Sequence, residues 1–173
     1  MRRALLLSVA AIVLTLTPGT ASAEPASCPV GWGSLTKTEA TTTSADMVGL
    51  RAGRHACFDR LVFDFRGEVD GYWVSYVDQV TAEATGDVVA VRGGARLQVS
   101  VHARAHDDRY KPTYLFGDAA KLVDVASYQT FRQVAWAGSQ HGTTSVGLGT
   151  RARLPFRVFA LPNRIVVDVA HRW

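Results

Sequence analysis

The sequence predicts a mainly β protein, an antiparallel β-sandwich of about 8–9 strands with at most one short helix. Three observations carry that reading. Short runs alternate apolar and polar residues with a period of two, as in 95–104, where Leu97, Val99 and Val101 interleave with Arg96, Gln98, Ser100 and His102. Turn signals recur every 8–12 residues, the spacing of sandwich and barrel strands. One pattern, Arg followed by three apolar residues, Asp and a further apolar residue, occurs twice, as Arg60–Phe65 (RLVFDF) and as Arg164–Val169 (RIVVDV).

The first strand candidate, 34–43, is rich in Thr with loose alternation. Candidates at 59–66 and 72–82 flank a turn between Gly67 and Gly71. A short apolar run, 88–92, ends at Gly93-Gly94, and 95–104 follows. The last four candidates are 130–137, 144–151, 155–160 and 164–171, separated by turn signals at Gly138–Gly142, Leu154-Pro155 and Pro162-Asn163. Gly147-Leu148-Gly149 lacks the rest of a phosphate loop and reads as tight strand packing. The one helix candidate is 118–126: Asp118 suits a cap, and Ala119, Leu122, Val123 and Ala126 fall at helical spacing. Neither a 20–50-residue repeat nor a linker divides the chain, so a single domain is expected.

Alternate side chains of a strand point to opposite faces. The repeated pattern therefore predicts two core faces, Leu61, Phe63, Phe65 and Ile165, Val167, Val169. The opposite faces carry Arg60, Val62, Asp64 and Arg164, Val166, Asp168. Within one strand the Arg and Asp are about 13 Å apart, too far to pair. Antiparallel neighbours in register would bring Arg60 to Asp168 and Arg164 to Asp64, whereas a parallel pair would oppose like charges. The other reading is two solvated outer faces with no special pairing.

Residues 1–23 read as a signal peptide: Arg2-Arg3, the apolar run Ala4–Leu16, then Ala21-Ser22-Ala23 before the expected cleavage. The apolar run is too short to span a bilayer, so no integral membrane segment is expected after cleavage. The expected mature domain is 24–173, and removing two arginines lowers Lys+Arg from 19 to 17 against 15 Asp+Glu. A net charge near +2 without a basic stripe argues against nucleic acid as partner. Cys28 and Cys57 both lie in the exported part, where such a pair is most simply a disulfide.

Long stretches of the chain resemble bacterial AMIN-like domains. They are Gly53–Phe65 (GRHACFDRLVFDF), Thr130–Gly138 (TFRQVAWAG), Gly147–Val158 (GLGTRARLPFRV) and Arg164–Val169. That family is distantly similar to the AMIN module of periplasmic N-acetylmuramoyl-alanine amidases. The resemblance implies a β-sandwich, an exported cell-envelope module without catalytic residues, and peptidoglycan or a related wall polymer as ligand. In AMIN modules, too, an Arg–hydrophobic–Asp strand recurs near both ends of the domain.

No GxSxG, HExxH or clustered Cys/His motif is present, so neither a catalytic centre, a metal nor a cofactor is assigned. His102, His106, Asp107 and Asp108 are the best metal candidates, but positions i and i+4 of a strand lie about 13 Å apart. A secreted hydrolase using His55, His102, His106 and Asp107 is the alternative to a binding module, and a protein–protein module is a third reading. His141 reads as a hairpin-turn residue. The ligand-binding candidates are Arg54, His55, Arg132 and Trp136; a groove lined by Arg and an aromatic would favour a wall binder. Tyr72 and Tyr76 share a strand face opposite Trp73, so only one of these sets should be exposed; Tyr110 and Tyr114 flank Pro112 in a loop.

Overall fold

The computed structural model describes Cys28 and residues 31–173, so the signal-peptide reading lies outside the described residues. Among the described residues there are eleven strands and no helix. One sheet has the order β1-β4-β7-β9-β8, with β1 Lys37–Glu39, β4 Tyr72–Tyr76, β7 Ala95–Val101, β9 Thr143–Thr150 and β8 Phe131–Gln140. The second has the order β10-β11-β3-β2, with β10 Phe156–Leu161, β11 Arg164–Ala170, β3 Phe58–Arg66 and β2 Asp46–Arg54. All neighbours in these two sheets are antiparallel. A hairpin of β5 Val80–Thr81 and β6 Val88–Val89 forms a third, two-stranded sheet.

The core lies between the two large sheets. Met47, Leu61, Phe63, Phe65, Ile165, Val167 and Val169 from one meet Val74, Leu97, Val99, Val101, Val134, Val146 and Leu148 from the other. Both predicted core faces of the repeated pattern are thus buried. Tyr72 and Tyr76 pack on this core and Trp73 is exposed, as the shared-face reading required. The β5–β6 hairpin covers the outer face of the first sheet, where Val80 and Val91 pack on Ala135 and Ala137. Gly147 and Gly149 make that approach feasible: a Cβ on Gly147 would lie 2.6 Å from Val91 Cγ2, and one on Gly149 1.9 Å from Arg92 O. At the β8–β9 turn His141 and Gly142 both have positive φ, 47° and 80°, the conformation of a tight two-residue hairpin.

Three expectations are corrected. The 118–126 segment is not a helix, because its backbone is used by the edge of β8. Leu122 N–H donates to Val134 O at 2.9 Å, and Trp136 N–H donates to Ala119 O at 2.7 Å. Asp118 caps only a turn, through Ala120 N–H. The strand β2 was not anticipated: Gly49 and Gly53 weaken its pattern, and a bulge between Met47 and Gly49 breaks the period of two. Finally, 34–43 shortens to β1, and 72–82 divides into β4 and β5.

The repeated pattern pairs as the charge argument required: β11 runs antiparallel to β3, with Arg60 opposite Asp168 and Arg164 opposite Asp64. The reading of two solvated outer faces is overturned, because Asp168 is 0% exposed and Val62 and Val166 are buried as well. Arg60 donates to Asp168 twice, from Nε at 2.7 Å and Nη2 at 2.9 Å, and Arg157 Nε from β10 adds a third bond at 2.8 Å. The bonds from Arg60 to the Asp168 carboxylate raise the Arg60 guanidinium above its ordinary pKa. Asp64 likewise has two arginines, in a wetter place: Arg51 bonds it at 2.8 and 3.1 Å, and Arg164 lies 3.4 Å away.

Aromatic rings cover the buried pair. Arg157 lies 4.4 Å from the centroid of Trp32, and Arg60 5.2 Å from that of Phe58. Trp32 in turn meets Phe58 edge to face at 5.6 Å. The expected disulfide joins Cys28 to Cys57, beside Phe58, with a Cα separation of 5.4 Å. It ties the segment carrying Trp32 to the start of β3.

This packing ranks three substitutions and fixes the state of the cysteines. Phe63→Ala should cost about 3–5 kcal/mol. Asp168→Ala should cost about 3 kcal/mol, the low end for breaking a buried pair because both arginines keep some solvent contact. Asp64→Asn should cost only about 0–1 kcal/mol. Urea denaturation of the three variants ranks them, and an equal effect at Asp64 and Asp168 would contradict the burial argument. Intact-mass analysis after alkylation without reductant should find no free thiol in exported protein. Replacing both cysteines by Ser should lower stability by about 3–4 kcal/mol on the chain-entropy model.

Candidate functional site

The period of two extends one step beyond each copy of the repeated pattern. Asp59 precedes Leu61 on the core face of β3, and His171 follows Val169 on the core side of β11. Both are polar, and both are buried, Asp59 at 0% and His171 at 5% exposure. Asp59 Oδ2 accepts the N–H groups of Thr130 at 2.6 Å and Phe131 at 3.1 Å, where the chain enters β8 of the opposite sheet. Asp59 Oδ1 lies 3.2 Å from His171 Nε2. Thr130 Oγ1 donates to Ala170 O at 3.2 Å, and an Arg151 Nη2 donates to His171 O. The two sheets are therefore joined at this end by charge-assisted bonds rather than by apolar contact. His171 Nδ1 is buried and has no hydrogen-bond partner among the described residues.

A cleft of about 450 Å³ opens over this buried pair, lined by Arg54, His55, Ala56, Asp59, Ser127, Gln129 and His171. Arg54 and His55 form the β2–β3 turn, closed by His55 N–H on Phe58 O at 3.0 Å. The His55 ring stacks on Phe58 at 4.4 Å with its planes 20° apart. Both residues are exposed, and neither the Arg54 guanidinium nor the His55 ring nitrogens make a hydrogen bond or ion pair among the described residues. The cleft thus has a fixed floor and an exposed rim that bears a guanidinium and an imidazole.

The four ligand-binding candidates fall in three places. Arg54 and His55 share this cleft. Arg132 has its donors occupied by the carbonyls of Phe131 at 2.8 Å, Tyr128 at 3.2 Å and Gln129 at 3.3 Å, so it shapes the segment forming the far wall. It lines a separate cleft of about 340 Å³ together with Arg92, Lys121 and Asp124. Trp136 packs 5.0 Å from Phe116 and 6.1 Å from Tyr114, away from the other three.

The groups of the hydrolase alternative do not converge. His102 Nδ1 lies 3.0 Å from Thr41 O, and His106 Nδ1 lies 3.0 Å from Asp107 O, with its ring stacked on Tyr110. Asp107 caps its own turn: the Lys111 N–H above all, and the Arg109 N–H, hold its carboxyl below the usual range. Among the described residues, no group of three or more His, Cys, Asp or Glu side chains is placed to hold a metal ion. Asp59 and His171 are a carboxylate–imidazole pair, yet Ser127 makes no hydrogen bond to His171. Sequence reading missed this pair; carrying the strand parity one residue past each apolar run finds it.

Asp59→Ala should cost about 2–4 kcal/mol, because it strands two buried N–H groups and one imidazole nitrogen. Chemical denaturation checks it. A cost under half a kcal/mol would show that Asp59 does not close the sandwich.

No curated protein and no solved structure matches this chain. A family model for the AMIN-like domain does match, over residues 45–171, which spans β2 to the end of β11 and includes both copies of the repeated pattern, Asp59 and His171. The chain belongs to the AMIN-like domain family.

Proposed function

We propose that this protein is an exported, non-enzymatic module of the cell envelope that binds peptidoglycan or a related wall polymer through the cleft at the β2–β3 turn. The observation that carries the reading is the exposed rim, the Arg54 guanidinium and the His55 imidazole, over a floor already fixed by Asp59, His171 and Thr130. A guanidinium recognises carboxylate or phosphate through two parallel bonds, and wall polymers carry such groups. Ser127 and Gln129 on the far wall add hydroxyl and amide partners. Family membership points to the cell envelope. The Cys28–Cys57 disulfide suits an oxidising, extracytoplasmic compartment. The non-catalytic reading is supported by the structural use of the buried pair: His171 is 5% exposed with Nε2 toward Asp59, whose other oxygen holds the Thr130 and Phe131 N–H groups.

Co-sedimentation with purified sacculi tests the proposal. The domain should pellet with them, and the Arg54→Ala, His55→Ala double variant should bind about tenfold more weakly or worse while retaining its denaturation midpoint. Muropeptides should remain uncleaved. Turnover that disappears on changing His102 or His106 to Ala would overturn the reading.

A further inference from the structure

The cleft lies at the end of an unprotected sheet edge. Antiparallel pairs alternate between those that exchange ladder bonds and those that do not. Since His55 N–H donates to Phe58 O, the bonded pairs of β2 and β3 are Gly53–Arg60, Arg51–Val62 and Gly49–Asp64. Leu50, Ala52 and Arg54 therefore turn their N–H and C=O groups away from the sheet. No hydrogen bond reaches those groups among the described residues.

Elsewhere the edges of this sheet are partly covered. At the start of β2, Met47 N–H donates to Arg104 O at 2.7 Å, and Met47 O accepts from Thr113 Oγ1 at 2.7 Å. Along β10, Phe156 N–H donates to Gly33 O at 2.8 Å, and Val158 O accepts from Tyr72 Oη at 3.5 Å. Natural edges are commonly blocked by Pro, Lys or a covering segment. The free half of β2 carries neither Pro nor Lys, and of its two arginines Arg51 is bound to Asp64 while Arg54 is unpaired.

We infer that Leu50, Ala52 and Arg54 form a strand-addition site for an extended, carboxylate-bearing peptide, and that the domain grips the peptide part of the wall polymer rather than its glycan. The inference rests on the wall-binding reading above. Outward groups two residues apart recur about every 6.6–6.8 Å, which an extended peptide matches. Its main-chain bonds supply the affinity, as in other strand-addition complexes. Arg54 and His55, at the end of the edge, receive its carboxylate. A sugar strand offers hydroxyls and isolated N-acetyl groups rather than a two-residue amide repeat.

Three probes separate the possibilities: intact sacculi, glycan strands stripped of stem peptides by an amidase, and the released stem peptides. The domain should bind the first and third, and the stripped glycan at least tenfold more weakly. Ala52→Pro removes one outward N–H and leaves the ladder with β3 intact, so it should weaken stem-peptide binding about tenfold with the fold retained. Amide exchange of the unmodified domain gives a second readout: stem peptide should protect the Leu50, Ala52 and Arg54 amides. Equal binding to stripped glycan overturns the inference and leaves wall binding standing. Protection confined to other amides, or unchanged peptide binding by a folded Ala52→Pro, also overturns it. An acidic protein segment that adds to this edge where stem peptides do not would reassign the site to a protein partner. Failure to bind sacculi at all removes the wall-binding reading and this inference together.

Discussion

A carboxylate removed from water is tolerable only when its hydrogen-bonding capacity is filled by cations held in place. Asp168 sits in β11, the strand between β10 and β3, and takes Arg157 from one neighbour and Arg60 from the other. Much of the second sheet follows from that requirement. The strand order must place an arginine on each side of β11, and the register must bring each level with Asp168. The arginines, partly desolvated, then lie against aromatic faces, Phe58, Phe159 and Trp32. Trp32 comes from a segment that the Cys28–Cys57 bond ties to β3. A polar pair on the outside of a sheet thus recruits its own cover.

The opposite side of the same strands meets a different problem at the sandwich end. An apolar core cannot continue to the rim, where backbone N–H groups of the entering chain lack strand partners. Asp59 satisfies two of them, at Thr130 and Phe131, and so fastens β3 of one sheet to the start of β8 in the other. His171 approaches its remaining oxygen from the end of β11. The floor of the cleft is therefore set by bonds that fold the protein. Among the described residues the Arg54 guanidinium and the His55 ring nitrogens take no hydrogen bond in that arrangement, and such groups are available to a ligand.

The contrast between Asp64 and Asp168 shows how little of this is a property of residue type. Each aspartate has two arginine partners on neighbouring strands, and each stands at the same place in the same six-residue pattern. One remains in solvent contact and the other has none, because only the Asp168 end lies beneath Trp32, Phe58 and Phe159. Burial converts a surface ion pair of little consequence into a determinant of stability.

The sequence by itself determined the features that depend on short-range alternation. The β class, the core faces of β3 and β11, the antiparallel sense of their pairing should they be neighbours, and the hairpin turn at His141 all follow from the period of two, from charge complementarity and from turn chemistry. The close approach at Gly147 and Gly149 was legible for the same reason. Arg54 and His55 were legible as site candidates through the motif around them. Tertiary structure alone decided three matters. It unfolded the helical pattern at 118–126, since the free edge of β8 offered that backbone better partners than its own turns. It formed β2 despite two glycines, because the β3 edge supplied a template. It separated Arg132 and Trp136 from the cleft and brought in Asp59 and His171, 112 residues apart. Each depends on a long-range contact, and a pattern read along the chain carries no information about which distant surface will compete for a given backbone or side chain.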